Sequence, residues 1–200
     1  AATDFATQNQ KKEWYQKFRW FITSNNQFAV GGRDATTNEI VINKHTQSGD
    51  LVFHTDMAGS PFFVLVADDR EFNDQEIKEV AQMTAVYSKA WGKGLTTNDV
   101  FYVKPEQVTK EAQSGEYLSK GSFMVRGETT YVPVDAMEFC IGIVDYRVMA
   151  APRSAFSGEK VVCLIQGDRK TSDVAKQIRK FLGGGLLDDI IRVIPSGGCR

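Results

Sequence analysis

Two residues of one predicted strand could carry catalytic chemistry. His54 and Asp56 lie two positions apart in Phe53-His54-Thr55-Asp56, and in a strand this spacing turns both side chains to one face, opposite Phe53. A histidine beside a carboxylate can act as a general base or as half of a metal site. However, the sequence holds only one other histidine, His45, and neither a Gly-x-Ser-x-Gly motif nor a third ligand at usable spacing. We therefore interpret His54 as a hydrogen-bonded structural or nucleic-acid-contacting residue, with a hydrolase or nuclease as the minor alternative.

Glycine-rich turns offer a second kind of chemistry, phosphate binding. Gly31-Gly32-Arg33-Asp34 leads from a predicted strand towards a predicted helix, so its backbone amides and Arg33 could hold one phosphate. The segment matches neither the Walker nor the dinucleotide-binding pattern. The triple glycine at 183–185 lies between two predicted helices without a following Lys-Ser or Lys-Thr, and we interpret it as a helix stop. No cofactor and no metal site is predicted.

The segment 114–127 combines tight turns with exposed polar chemistry. Glycines at 115, 121 and 127 punctuate a run that offers hydrogen-bond donors, one aromatic face and two cations, namely Glu116, Tyr117, Ser119, Lys120, Ser122 and Arg126. Cations bind phosphates and aromatic rings stack on unpaired bases, so this segment is a candidate nucleic-acid contact. The strand Phe101-Tyr102-Val103-Lys104 repeats the combination. A solvated hairpin with Tyr117 packed underneath is the alternative, and Tyr102 and Tyr117 are the rings that we expect to be partly exposed.

Charge and length limit the class of protein. A net charge of −1 argues against a uniformly basic nucleic-acid binder, although base gathers at 11–19 and 169–180 and acid at 68–79. Such segregation gives either one cationic face or ordinary solvated helices. Two hundred residues with 42% hydrophobic content can bury a core. The apolar runs are far shorter than a bilayer span and no signal segment opens the chain, so we expect a cytoplasmic protein outside the membrane.

The three cysteines are an odd number without metal-ligand spacing. Cys140 and Cys163 lie in apolar, strand-like runs, and Cys199 is near the C-terminus. We expect reduced core thiols and one free thiol at Cys199.

Hydrophobic periodicity predicts the elements that position these residues. Alternation predicts an opening hairpin at 18–30, and helical spacing predicts helices at 38–45, 74–91, 173–182 and 187–194. Further strands are predicted at 50–56, 61–67, 99–104, 122–126, 138–148 and 160–166. Asp34 or Thr36 is expected to cap the first helix and Ser172 the third. The order of elements predicts an α+β fold with a mixed, largely antiparallel sheet, flanking helices and a small helical C-terminal extension.

We divide the chain into three regions. Residues 1–10 are small and polar and are predicted to be a disordered lead or the cut end of a longer protein. Residues 11–135 form the core domain, and 136–200 form an α/β extension packed on the same domain.

Several blocks of the sequence resemble the NFACT-R domain, the presumed RNA-binding module of the NFACT proteins, which are also labelled fibronectin-binding-like. The blocks occur in order from Trp14 to Gly127 and read WYxKFRWF (14–21), GGRDAxxNE (31–39), GDLVFHxD (49–56), YSxAW (87–91), PxQVxK (105–110) and the segment 114–127. The tail, at 172–176 and 187–195, is similar to archaeal members. One departure is Ala58-Gly59, where many relatives have His-Gly after the His-x-Asp element.

The resemblance implies a non-enzymatic RNA-binding module of a ribosome-associated quality-control factor that acts on stalled ribosomes. The implied partners are tRNA or ribosomal RNA, the large ribosomal subunit and the remaining NFACT domains if the chain is a fragment. The tRNA-selecting residues of the family lie mainly in its N-terminal part, so none can be transferred here. The alternative is a protein-interaction platform that docks a ribosomal protein or the rest of its own polypeptide. The resemblance implies contacts through Arg33, His54, Lys110, Tyr117 and Arg126, and the aromatic and cationic segments add Lys104 and Lys120.

Overall fold

The computed structural model describes residues 11–57, 59–95 and 99–200, so the predicted lead at 1–10 lies outside the described residues. The strands in this part of the chain are β1 (Arg19–Ile22), β2 (Phe28–Gly31), β3 (Leu51–Thr55), β4 (Phe63–Leu65), β5 (Val100–Val103), β6 (Val108–Thr109), β7 (Met124–Val125), β8 (Thr130–Val132), β9 (Glu138–Val144), β10 (Arg147–Ala151) and β11 (Val161–Arg169). The α-helices are α1 (Ala35–Lys44), α2 (Asp74–Val86), α3 (Lys89–Gly92), α4 (Thr171–Leu182) and α5 (Leu187–Val193). Short 3-10 helices span Trp14–Lys17, Pro105–Gln107 and Arg153–Ala155.

The strands form three antiparallel sheets. The six-stranded sheet has the order β1-β2-β4-β3-β5-β8, the three-stranded sheet has the order β10-β9-β11, and β6 pairs with β7 alone. Since β2 and β3 both pair antiparallel with β4, they run in the same direction with β4 between them. Helix α1 connects β2 to β3, so this part of the sheet is a split β-α-β unit.

Both faces of the six-stranded sheet are buried, and successive side chains of each strand point to opposite faces. Phe53 and Phe63 face α2 and belong to the larger core, which continues into the three-stranded sheet through residues such as Phe139. Their neighbours Val52 and Val64 face the other way, into a smaller core beneath α1. The sheet therefore fixes α1 and the residues at its N-terminus relative to α2.

The α+β fold class and most elements predicted from the sequence are confirmed. The predicted strand at 138–148 is wrong, because β9 and β10 form a hairpin in which Val144 pairs with Arg147. The turn residues Asp145 and Tyr146 have φ of 48° and 64°, a conformation that usually selects glycine or asparagine. The short strands β6 and β8 also had no prediction.

Two helix ends differ from the prediction. The helix predicted at 74–91 ends at Val86, and Ser88 caps the separate helix α3 by accepting a hydrogen bond from the Ala90 amide at 3.2 Å. Helix α4 begins at Thr171 with Lys170 as its cap, so the expected cap at Ser172 is wrong. Asp34 caps α1 as predicted.

The cysteine expectation is also wrong for two of the three residues. Cys140 and Cys163 lie opposite each other on β9 and β11 and form a disulfide. Cys199 is a buried free thiol, and burial raises its pKa. The register that brings the two strands together is a tertiary property, which sequence spacing cannot reveal.

In the part of the chain that the structure describes, every helix is too short or too polar to span a bilayer.

Candidate nucleic-acid interface

A cleft of about 480 Å³ opens where α1 begins, between the stretch before β4 and the loop that follows β6. We call it the basic cleft and define it by the residues lining it: Arg19, 32–35, Asn38, His54, 59–62, Tyr87 and 119–123. Three of these side chains are positively charged at neutral pH: Arg19, Arg33 and Lys120. Among the described lining residues, Asp34 is the one acidic side chain. The cleft is therefore electropositive although the whole chain carries a net charge of −1.

Asp34 offsets only one of the three positive charges, and its carboxylate caps α1. Asp34 Oδ1 accepts hydrogen bonds from the Thr37 amide at 2.8 Å and from Thr37 Oγ1 at 2.9 Å. These bonds lower the pKa of Asp34 and commit its charge to the helix N-terminus.

Close backbone packing shapes the cleft wall. A Cβ on Gly32 would lie 1.9 Å from Asn38 Oδ1, which accepts a hydrogen bond from the Phe62 amide at 3.2 Å. Lys89 lies against Gly59, another lining residue, where a Cβ would come within 2.6 Å of Lys89 Cε. A further cation therefore lies at the rim of the basic cleft.

The loop between β6 and β7 is held against α1 by one carboxylate. Glu39 Oε1 accepts a hydrogen bond from the Gly121 amide at 3.0 Å and forms an ion pair with Lys110 Nζ at 2.7 Å. Lys110 Nζ also lies 4.5 Å from the centre of the Phe123 ring, which packs edge-on against Phe62. These contacts place Lys120 at the cleft, and they lower the pKa of Glu39.

His54 has a structural partner inside the cleft and does not pair with Asp56. Its Nδ1 lies 3.1 Å from the Pro61 carbonyl, and its ring stacks on Phe62 with centroids 4.0 Å apart. Burial lowers its pKa more than the Pro61 carbonyl and Asp56 raise it, so the neutral form is favoured. Asp56 instead accepts a hydrogen bond from Tyr131 Oη at 3.0 Å, which agrees with the structural interpretation of His54.

The sequence places Arg19 in the basic run at 11–19, but it was not among the predicted contact residues. Arg19 lies two positions before Phe21 on β1, so both side chains are on the same face of the strand, and Phe21 is fully buried. A cation on the core-facing side of a strand is the sequence signal that points to Arg19. Its guanidinium lies 4.0 Å from the centre of the Tyr87 ring and donates to the carbonyl of Arg192 at the end of α5. Burial lowers the pKa of Arg19.

The predicted site residues fall into two groups. Arg33, His54 and Lys120 line the basic cleft, and Lys110 adjoins it through Glu39. Lys104 and Arg126 are exposed and lie outside the cleft, connected through Gln107, which bonds to the backbone of both. The Arg126 side chain donates to the Glu111 carbonyl at 2.9 Å. Tyr117 is 89% exposed and Tyr102 is half-buried, as predicted.

An antiparallel α+β domain with a cationic cleft and an exposed aromatic loop defines a class of polyanion-contacting module. The chain belongs to the family described as the NFACT protein RNA binding domain, whose model matches residues 17–127. Arg19, Arg33, His54, Lys104, Lys110, Tyr117, Lys120 and Arg126 all lie within the matched residues.

Individual relatives agree with this assignment. The chain is 37% identical over 199 residues to the archaeal Rqc2 homolog aRqcH of Methanocaldococcus jannaschii, a match that covers 96% of this chain and 30% of the relative. It is 37% identical over 125 residues to the ribosome quality control complex subunit NEMF of Homo sapiens, covering 62% of this chain and 12% of that protein. The chain thus spans less than a third of the length of these relatives.

A solved structure shares the fold. The C-terminal part of the fibronectin/fibrinogen-binding protein from Streptococcus suis superposes with a TM-score of 0.51 at 18% identity, covering 64% of this chain and 50% of that one.

Proposed function

We propose that this chain binds RNA through the basic cleft and the adjoining loop, as the non-catalytic module of a factor that rescues stalled ribosomes. The observation that carries the proposal is the cation set of the cleft, Arg19, Arg33 and Lys120, inside the segment matched by an RNA-binding family. Tyr117 adds an exposed ring on the same loop as Lys120. Cations bind the phosphate backbone and an exposed ring can stack on an unpaired base.

The finer assignment concerns the RNA itself. The relatives named above are ribosome quality-control proteins, which supports tRNA or large-subunit ribosomal RNA as the ligand. We assign His54 to the shape of the cleft, because its Nδ1 is engaged by Pro61 and its ring by Phe62. The chemistry of the whole factor is therefore expected to take place outside this module.

Titration with labelled tRNA and with a large-subunit ribosomal RNA fragment at several salt concentrations tests this function. We expect the affinity to fall steeply as salt rises, because bound cations release counterions from the RNA. Lys120→Ala and Arg126→Ala should each weaken binding by roughly threefold to tenfold, in the range of the net contribution of one hydrogen bond. Lys78→Ala is the matched control, because it removes one exposed positive charge on α2, away from the residues that line the cleft.

A protein-interaction platform is the second candidate, and the 89% exposure of the Tyr117 ring favours it. Photo-crosslinking from position 117 on isolated ribosomes separates the two. Crosslinks to RNA support the proposed function, whereas crosslinks to protein together with no RNA binding at low salt would replace it with the platform.

A further inference from the structure

Two guanidinium groups of the N-terminal half converge on one backbone oxygen of α5. Arg19 Nη1 donates to the Arg192 carbonyl, and Arg33 Nη2 lies 3.5 Å from the same oxygen. The two contacts join residues separated by 173 and 159 positions. Tyr87 Oη completes the arrangement by donating to the neighbouring Val193 carbonyl at 2.7 Å. The end of α5 therefore holds the Arg19 guanidinium and lies within reach of the more exposed Arg33 guanidinium.

In the described residues, the nearby Asp34 carboxylate offsets part of this charge but forms no ion pair with either arginine. Within residues 11–57, 59–95 and 99–200, the ion pairs at 4.0 Å or less involve Lys110 and Arg147 and neither Arg19 nor Arg33. The carbonyl end of a helix carries only about half a negative charge, which does not offset two guanidinium groups. Burial and the neighbouring charges of Arg19 and Arg192 lower the pKa of Arg33, which is the electrostatic cost of bringing the arginines together.

The remaining donors can serve a ligand. A guanidinium has five N–H groups, and the contact to Arg192 uses one nitrogen of each arginine. The Tyr87 ring lies 4.0 Å from the Arg19 guanidinium and limits its rotation. Both arginines line the basic cleft, with Lys120 on the loop side. A planar fork that is held in place matches the oxygens of a phosphate group, whereas a lone lysine provides only a point charge.

We infer that Arg19 and Arg33 form a phosphate subsite of the basic cleft and that the C-terminal end of α5 positions it. The assignment deepens the proposed function and rests on it for the source of the phosphate, which is RNA. The shared chemistry is a phosphate group, and it is supplied either by an internal phosphodiester or by a 5′-terminal phosphate. Helix α5 acts on the RNA indirectly, because its Arg192 carbonyl orients the two arginines.

The test uses the full chain and a single-stranded RNA of 12 nucleotides labelled at its 3′ end, in 5′-phosphate and 5′-hydroxyl forms. Arg33→Gln should lower the affinity about tenfold, the loss expected for a charged hydrogen bond, and should reduce the slope of log affinity against log salt by about 0.7. Arg33→Lys should keep the slope but recover only part of the affinity, because it keeps the charge and loses the fork. Lys78→Ala should leave both the affinity and the salt slope close to those of the parent protein.

Arg19→Lys tests the buried member of the pair. It should lower the affinity for both RNA forms while thermal unfolding shows that the variant is folded. If Arg19→Lys does not fold, Tyr87→Phe replaces it. This variant keeps the ring beside Arg19 but loses the hydrogen bond to the Val193 carbonyl. It should weaken RNA binding by twofold or more without altering the salt slope. A stronger affinity for the 5′-phosphate form assigns the subsite to a terminal phosphate, and equal affinities assign it to the backbone.

Inorganic phosphate separates the failure of the subsite from the failure of RNA binding. We expect phosphate to raise the unfolding temperature of the parent protein and to do so less for Arg33→Gln. RNA binding that is weakened by Lys120→Ala but unchanged by both arginine variants would overturn the subsite and leave the proposed function standing. Phosphate stabilisation that depends on Arg33, with no RNA binding at low salt, would retain the anion site and reject RNA as its ligand.

Discussion

Glu39 on α1 and Gly121 are 82 positions apart in sequence, and Glu39 Oε1 accepts a hydrogen bond from the Gly121 amide at 3.0 Å. The same oxygen forms the ion pair with Lys110 at 2.7 Å. One carboxylate thus holds both ends of the loop that carries Tyr117, and the order of this loop depends on a side chain from a distant helix.

Glu39→Ala is expected to release this loop while leaving the sheet intact. The amides of residues 111–123 should exchange with deuterium faster than in the parent protein, and those of β3 and β4 should not change. Since Lys110 and the Gly121 amide lower the pKa of Glu39, the contact should persist at neutral pH. It should be lost only as the pH falls below the ordinary glutamate value of about 4.3. Glu128→Ala removes an exposed carboxylate nearby in sequence and should have no such effect, and equal exchange in both variants would contradict the anchor.

Gly121→Ala should disturb the loop more than the same change at Gly115. Both glycines have positive φ, +80° and +87°, so alanine costs about 1–2 kcal/mol at either position. Only at Gly121 would the new Cβ also lie 2.5 Å from Ala35 Cα, against the backbone of α1, whereas nothing lies within 4 Å at Gly115. We expect lower RNA affinity and lower thermal stability for Gly121→Ala alone. Matching losses in the two variants would show that the close approach to Ala35 is unimportant.

The buried imidazole of His54 should make the protein less stable in mild acid. Its pKa is lowered in the folded state, chiefly by burial, so the unfolded chain takes up the proton first as the pH falls through about 6.5. Stability is therefore complete above this pH and declines below it, by at most about 1.4 kcal/mol per pH unit for one histidine. Urea unfolding at pH 7.5 and 5.5 should show a smaller decline for His54→Gln than for the parent.

His45 provides the internal reference for that measurement. Its pKa is also lowered by burial, but it contributes equally to the parent and to His54→Gln and cancels in their difference. Parallel declines in the two proteins would mean that His54 is accessible to protons in the folded state.

The disulfide between Cys140 and Cys163 predicts a thiol count. The protein unfolded without reductant should present one reactive thiol, from Cys199, and three after reduction. Replacing Cys140 and Cys163 together by serine should lower the free energy of unfolding by about 3 kcal/mol, as for a closed loop of this size, with a sequence separation of 23. Three reactive thiols before reduction would restore the expectation drawn from the sequence.

Local sequence signals predicted what depends on local structure. The capping residue Asp34, the glycine-punctuated loop and the opening hairpin follow from turn and cap chemistry that acts over a few residues. The hairpin between β9 and β10 escaped prediction because its turn uses Asp145 and Tyr146 with positive φ and carries no glycine. Strand β8 is only three residues long, so its alternation is too short to recognise.

Contacts between distant segments lay beyond sequence reasoning. Arg33 and Lys120 were predicted as contact residues, but their meeting in one cleft depends on Glu39 and on the packing of Gly121 against Ala35. The link from Arg19 to the Arg192 carbonyl spans 173 residues and involves a backbone atom, which has no sequence signature. The division at residues 135 and 136 stays a prediction.

The strand order β2-β4-β3 also constrains how the chain folds. β2 and β3 precede β4 in sequence, yet the strand that pairs with both of them on their facing edges is β4, which comes later. β4 is only three residues long and wholly buried, with Phe63, Val64 and Leu65 shared between the two cores. During synthesis on a ribosome, β2, β3 and α1 therefore keep part of their apolar surface exposed until β4 has been synthesised. Pairing of this short strand with β2 and β3 is therefore a late folding step. Until it occurs, the nascent domain can aggregate or bind chaperones.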